Sequence, residues 1–186
     1  MVDKFNYDKK SLFEHLIDLF PICRSITGDG LDISLSYFEK YHPEYQRLEF
    51  KTGEKIFDWE VPLEWNIKDA YIENLNTKQR FAEFKKNNLH VVGYSIPINK
   101  TFDFNEFSER IHTHNENDYL IPYLTSYYKR YWGFCMSKKE KDSMQPGSYK
   151  VFIDSSLKKG KLNLSHAIIK GNSKKEILFS SYLCHP

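Results

Sequence analysis

His185 is the residue with the most evident chemical potential in this 186-residue chain. A neutral imidazole is the commonest zinc ligand and a frequent proton carrier. It closes the stretch from Ile177 to Pro186, in which Ile177, Leu178 and Phe179 are apolar without alternation. Such a run reads as a strand buried on both faces. Pro186 lacks a backbone donor and biases His185 toward an extended shape, so the strand is expected to stop there. Open α/β sheets present ligating and catalytic groups at the carboxyl ends of their strands. Taken alone, one histidine after a strand fits a hydrogen-bonded structural role better than ligation. Cys184 is its neighbour, but adjacent strand residues point to opposite faces, so Cys184 reads as buried filler.

His112 and His114 form a second constellation, followed by Glu116 and Asp118. On a strand, that spacing puts both rings on one face, where a metal can use them. The surroundings are polar and loop-like, which favours an exposed or hydrogen-bonded role. Ser126 to Phe134 is the densest aromatic and basic stretch, with Tyr127, Lys129, Arg130 and Trp132. It suits the wall of a small-molecule pocket; packed aromatics with snorkelling charges are the plainer account. Ser155-Ser156 and Ser180-Ser181 lack the Gly-x-Ser-x-Gly elbow of serine hydrolases. Arg24, in a loop with Gly28 and Gly30, lacks the lysine and spacing of a phosphate-binding loop.

The elements that must position these residues follow from periodicity. Leu12, Phe13, Leu16, Ile17 and Phe20 share one face of a helix expected over 8–20, and Ser11 with Glu14 has capping-box spacing. Pro21 ends it, and a second helix is expected over about 30–41. Residues 45–51 alternate as a strand. From about 54 to 148 short strands dominate, including 69–73 and 89–95, with short helical patterns at 103–111 and 137–144. After Gly147, Tyr149, Val151 and Ile153 face one way, Lys159-Gly160 fits a hairpin turn, and Leu162, Leu164, His166 and Ile168 share a face. The order is helix, helix, strand, β-rich insert, hairpin, buried strand. The expected organisation is therefore one discontinuous domain, 1–53 with 149–186, interrupted by a β-rich, lid-like insert at 54–148.

Composition narrows the function classes. Lys plus Arg is 27 against 25 for Asp plus Glu, a net charge of +2. That is no footprint for nucleic acid. No apolar run reaches the roughly 18 residues of a membrane span. Three well-separated cysteines argue against a disulfide framework and for a reducing, cytoplasmic setting. The 16% aromatic content can build a core.

Several segments together resemble the bacterial aminopeptidase-like family long filed as a domain of unknown function, related to zinc exopeptidases of the aminopeptidase and glutamate-carboxypeptidase type. They are residues 23–30 (CRSITGDG), 57–72 (FDWEVPLEWNIKDAYI), 89–95 (LHVVGYS), 125–135 (TSYYKRYWGFC), 149–155 (YKVFIDS) and 182–186 (YLCHP). The resemblance implies an α/β fold, part of a zinc-exopeptidase-like sheet with flanking helices, carrying the β-rich insert. It places His185 at the position of the first zinc ligand. It implies metal-assisted hydrolysis of a peptide or amide small-molecule substrate, in which zinc activates a water and a Glu takes its proton. The remaining ligands and that Glu lie, in the family, beyond the matched residues. This stretch is therefore expected to be an N-terminal piece, inactive alone and with an incomplete zinc site. No catalytic residue is assigned within it, and Asp58, Tyr127, Lys129 and Arg130 are the candidate substrate contacts. The alternative is a pseudoenzyme or binding module holding a peptide or carbohydrate through the aromatic insert. The sequence leaves a homo-oligomer open.

Overall fold

The structure, a computed structural model, describes residues 11–184. Helices α1 (Leu12–Leu19) and α2 (Asp29–Tyr41) come first, followed by strands β1 (Gln46–Lys51), β2 (Lys55–Ile56), β3 (Trp59–Glu60), β4 (Glu64–Asn74) and β5 (Arg80–Phe81). A 3-10 turn at Asn88–His90 precedes β6 (Ile98–Asp103), the short helix α3 (Phe104–Phe107), a 3-10 turn at Ser108–Arg110, and β7 (Ile111–His112). Next come β8 (Phe134–Cys135), α4 (Lys138–Asp142), β9 (Ser148–Lys158) and β10 (Lys161–His166). This is a mixed helix-and-strand, α/β chain. It divides into two compact units: Trp65–Lys158, and the residues up to Glu64 together with those from Lys159 onward.

The Trp65–Lys158 unit is built on a four-stranded sheet in the order β5-β4-β9-β6. Alternation along β9 sends Tyr149, Val151 and Ile153 inward, each no more than 1% exposed. They meet Ala70 and Ile72 of β4, and Phe107, Phe134, Met136 and Met144 beyond the sheet. The opposite face carries Tyr71 against Phe152, ring centroids 5.1 Å apart, with the Arg80 guanidinium 4.0 Å above Tyr71. Within the expected 137–144 stretch, α4 starts at Lys138 because Ser137 caps it, accepting from the Glu140 N–H at 3.1 Å. Glu140 does not complete a capping box. Its carboxylate accepts from the Ala82 N–H at 2.8 Å, pinning a residue held at positive φ.

In the other unit, α2 lies against β1 and β10, which pair antiparallel with Leu48 opposite Leu164 and Phe50 opposite Leu162. Their contact is polar. Arg47 grips Glu39 through two nitrogens, at 3.0 and 2.7 Å, and Ser165 donates to the same carboxylate at 2.9 Å. This pairing holds the Glu39 carboxyl below the usual carboxylate range. Asn163 donates to Asp32. The buried position on β10 is thus Asn163, on the face opposite the one that Leu162, Leu164 and His166 share. Ile168 is 77% exposed.

Other expectations are corrected. Lys159-Gly160 does not close a hairpin, since β10 pairs with β1. Gly160 instead exchanges bonds with Thr52, its N–H donating to Thr52 Oγ1 at 3.0 Å and its carbonyl accepting from the Thr52 N–H at 3.0 Å. Residues 89–95 are not a strand: a 3-10 turn opens them, Tyr94 takes φ 65°, and only isolated bridges join Val91 to Phe134 and Gly93 to Thr125. The capping box of α1 is as the spacing predicts, with Ser11 and Glu14 bonded reciprocally. The apolar face of α1 remains exposed, however, from Leu12 through Phe20.

Candidate functional site

His185 and Pro186 lie outside the described residues. The stretch leading to them is not a buried strand. Residues 177–184 form no regular element, and Ile177, Leu178, Phe179 and Tyr182 are each more than 80% exposed. A doubly buried strand needs ladder partners at its edges and layers on both faces. Among the described residues none pairs with this stretch. Nor do any three His, Cys, Asp or Glu side chains among the described residues group to hold a metal ion.

The four candidate substrate contacts separate. Asp58 is exposed in the tight turn between β2 and β3, beside Phe57 at φ 56°. Tyr127, Lys129 and Arg130 belong to the other unit. Tyr127 is half-buried, its ring edge-on to Tyr94 with centroids 5.0 Å apart. Tyr94 in turn stacks on Trp65 at 5.8 Å. Lys129 and Arg130 are exposed on the turn that follows, closed by the Lys129 N–H donating to the Ser126 carbonyl at 3.2 Å. Tyr127 is thus tied into packing, while the two cations face solvent.

A different group converges nearby in sequence. The β7–β8 pairing sets His112 opposite Cys135 and Ile111 opposite Phe134. His112 Nε2 lies 2.8 Å from the Tyr131 hydroxyl. The Arg110 guanidinium covers the rings of Tyr131 and Trp132, at 4.6 and 5.1 Å. Lys141 donates to the carbonyls of Ser108 and Ile111 at 3.1 and 3.0 Å. Burial, with the charges of Lys141 and Arg110, lowers the His112 pKa, so the ring is neutral at neutral pH. Burial raises the Tyr131 phenol. His112 therefore acts as a neutral hydrogen-bonding group, not as a cation.

Beside it opens a cleft of about 620 Å³ lined by residues 111–116 with Pro122 and Leu124. Its walls are held from behind. His114 Nδ1 accepts the N–H groups of Glu116 and Asn117, both at 3.2 Å, which leaves Nε2 carrying the proton. Asp118 is tied to the start of α4, its carbonyl accepting from the Lys139 N–H at 3.1 Å. On the other side, the Leu124 carbonyl accepts from the Gly93 N–H at 2.8 Å, and the Gly93 carbonyl from Ser126 at 2.9 Å. The sequence singled out His112 and His114 and favoured an exposed or hydrogen-bonded role over a metal site; both rings are hydrogen-bonded. It missed the cleft because residues 122–126 reach it only through Gly93, a contact without local signature.

The thiols are placed for packing. Burial pushes Cys135 up to about 12 and Cys23 to about 11. No helix among the described residues is long and apolar enough to cross a membrane.

Comparison with known proteins adds the following. A family profile described as "Domain of unknown function (DUF2172)" matches residues 64–156, nearly the extent of the second compact unit. A protein of Clostridium acetobutylicum named "Putative polysaccharide biosynthesis protein with aminopeptidase-like domain" is 45% identical over 175 residues, 94% of this chain and 40% of its own length. A crystal structure of a "putative peptidase" from the same species superposes with a TM-score of 0.89 at 45% identity, over 94% of this chain and 41% of that one. The chain thus spans about 40% of the length of the curated relative it matches. With that profile covering half of it, the chain belongs to the DUF2172 family.

Proposed function

We propose that this chain is part of a zinc-dependent, aminopeptidase-like hydrolase acting on a peptide or amide bond, related to zinc exopeptidases. The observation that carries the reading is the 45% identity and TM-score of 0.89, across 94% of the chain, to a structure described as a "putative peptidase". His185 is the metal ligand in this proposal, and its first-ligand position is the one assigned by resemblance. The described residues supply no metal-ligating group of three, so no catalytic step is assigned to them, and residues 1–186 are proposed to be inactive alone. Asp58, Tyr127, Lys129 and Arg130 remain proposed substrate contacts, with the exposed Lys129 and Arg130 placed to meet a carboxylate.

The test is hydrolysis of aminoacyl p-nitroanilides by a polypeptide of the relative's full length, with and without chelator, beside residues 1–186. The reading predicts chelator-sensitive, zinc-restored hydrolysis by the long form and none by the short one. Hydrolysis untouched by chelation, or equal turnover by residues 1–186, overturns it.

A second reading is a binding module without hydrolysis, holding a peptide or carbohydrate. The cleft beside His112 favours it, since it is formed wholly within the Trp65–Lys158 unit. The relative's name, which joins polysaccharide biosynthesis to an aminopeptidase-like domain, points the same way.

A further inference from the structure

The geometry points to a specific ligand class for the cleft at residues 111–124: a neutral oligosaccharide, bound whether or not the protein hydrolyses peptides. Its volume of about 620 Å³ falls within the roughly 300–1,000 Å³ of small-molecule sites. The lining decides the class. Glu116 is its one charged group, and no lysine or arginine lines it. A carboxylate or phosphate would meet Glu116 inside the cleft, while the nearby cations Lys141 and Arg110 are engaged outside its lining, on the Ile111 carbonyl and on the Tyr131 and Trp132 rings. His112, His114 and Glu116, though all line it, are not grouped to hold a metal ion.

The remaining polar groups form a mixed set. His114 presents a donor, because its Nδ1 already accepts two backbone N–H groups at 3.2 Å. Glu116 accepts. Thr113 and Asn115 do both. Hydroxyl groups, each at once donor and acceptor, satisfy such a set, whereas an ion satisfies half of it. Ile111, Pro122 and Leu124 supply apolar surface for the C–H faces of a pyranose ring. Tyr123, between two lining residues, is 40% exposed, and Tyr119 on the loop that continues from Glu116 is 73% exposed. Exposed tyrosines on the two segments that carry the lining residues offer both ring stacking and hydrogen bonds.

The anchoring of both walls, through Gly93 and through the α4 terminus, makes the cleft preformed. A preformed site spends little binding energy on ordering loops. Tyr119 is held in this way: its N–H donates to Asn117 Oδ1 at 2.9 Å, and the Lys139 ammonium lies 5.3 Å from its ring.

The test is an NMR titration of the isotope-labelled 186-residue chain with maltotriose, cellotriose and N,N′,N″-triacetylchitotriose, and with the dipeptide Ala-Ala as the other arm. At least one saccharide is expected to shift amides of residues 111–124 saturably, and the dipeptide is expected not to. Asn115→Ala, at an exposed position, should weaken that saccharide about fivefold, the loss of one hydrogen bond. Tyr123→Ala should weaken it about tenfold while the rest of the spectrum stays in place. The inference is overturned if none of the three shifts these amides, if the shifts fall elsewhere, or if the dipeptide produces the same pattern. None of these outcomes bears on chelator-sensitive hydrolysis, so the two readings fail separately.

Discussion

His112 Nε2 and the Tyr131 hydroxyl are 2.8 Å apart although 19 positions separate them in sequence, and they close the intervening irregular loop onto the β7–β8 pair. Folding lowers the imidazole pKa through burial and through Lys141 and Arg110. The unfolded chain therefore binds a proton more readily as pH falls, and stability is lost below about 6.5 while being intact above it. Replacing His112 by Gln keeps a partner for the hydroxyl and removes the titration. Urea unfolding at pH 5.5 and 7.5 should show the wild type losing stability on acidification and His112→Gln losing measurably less. Equal pH dependence in both proteins would show that the ring is not desolvated as described.

Ser95 joins three segments of the Trp65–Lys158 unit. Its carbonyl accepts from Trp65 Nε1 at 2.9 Å and from Ser155 Oγ at 2.7 Å, and its own hydroxyl donates to the Val92 carbonyl at 2.6 Å. Trp65→Phe should cost about 2 kcal/mol, combining the lost bond with lost volume at a site 3% exposed. Ser155→Ala alone should cost about 1 kcal/mol, because the carbonyl keeps Trp65. The double variant should exceed their sum, since the Ser95 carbonyl then loses both donors. Thermal unfolding of the four proteins measures the coupling, and strict additivity would contradict it.

Gly30 and Gly171 offer a paired test of backbone approach. A Cβ at Gly30 would stand 1.8 Å from the Cys23 carbonyl oxygen, whereas at Gly171 nothing lies within 4 Å. Gly30→Ala should destabilise by about 3 kcal/mol, because backbone rather than a flexible side chain must move. Gly171→Ala should leave chemical unfolding unchanged within about 0.5 kcal/mol.

Thiol chemistry separates the three cysteines. Cys135 is buried with its pKa pushed up to about 12, and Cys23 to about 11. Thiolate is the reactive form, so both should resist a disulfide reagent in the native protein. Cys184 is half-buried on an irregular stretch just after the exposed Tyr182 and should react first. Single Cys-to-Ser variants identify the fast site, and fast labelling of Cys135 would contradict the packing around β8.

Much of the local structure could be read from the residues. Ser11 with Glu14 determines the start of α1 because a capping box needs only four consecutive residues. Tyr149, Val151 and Ile153 announce the core face of β9 by alternation alone. The failures are of another kind. Ile177 to Phe179 read as buried because apolarity implies a partner, yet all three are more than 80% exposed and no described residue pairs with them as a strand. On β10, Leu162 and Leu164 outweigh Asn163 in hydropathy, but Asn163 finds Asp32 on α2, over 100 residues earlier, and that pairing sets the inward face. The candidate site shows the same division. The histidine pair was visible as a spacing, whereas the other wall of the cleft, at Pro122 and Leu124, is held through hydrogen bonds of Gly93 with Leu124 and Ser126, about thirty residues apart in sequence.

The proposal that His185 ligates zinc in an aminopeptidase-like hydrolase is tested most directly by metal analysis. A polypeptide of the relative's full length, purified in parallel as wild type and as His185→Ala, should be assayed for bound zinc by mass spectrometry after dialysis. The account predicts stoichiometric zinc in the wild type and a loss of tenfold or more in the variant, with the fold intact by circular dichroism. Full zinc occupancy in His185→Ala, or no zinc in the wild type, would contradict it.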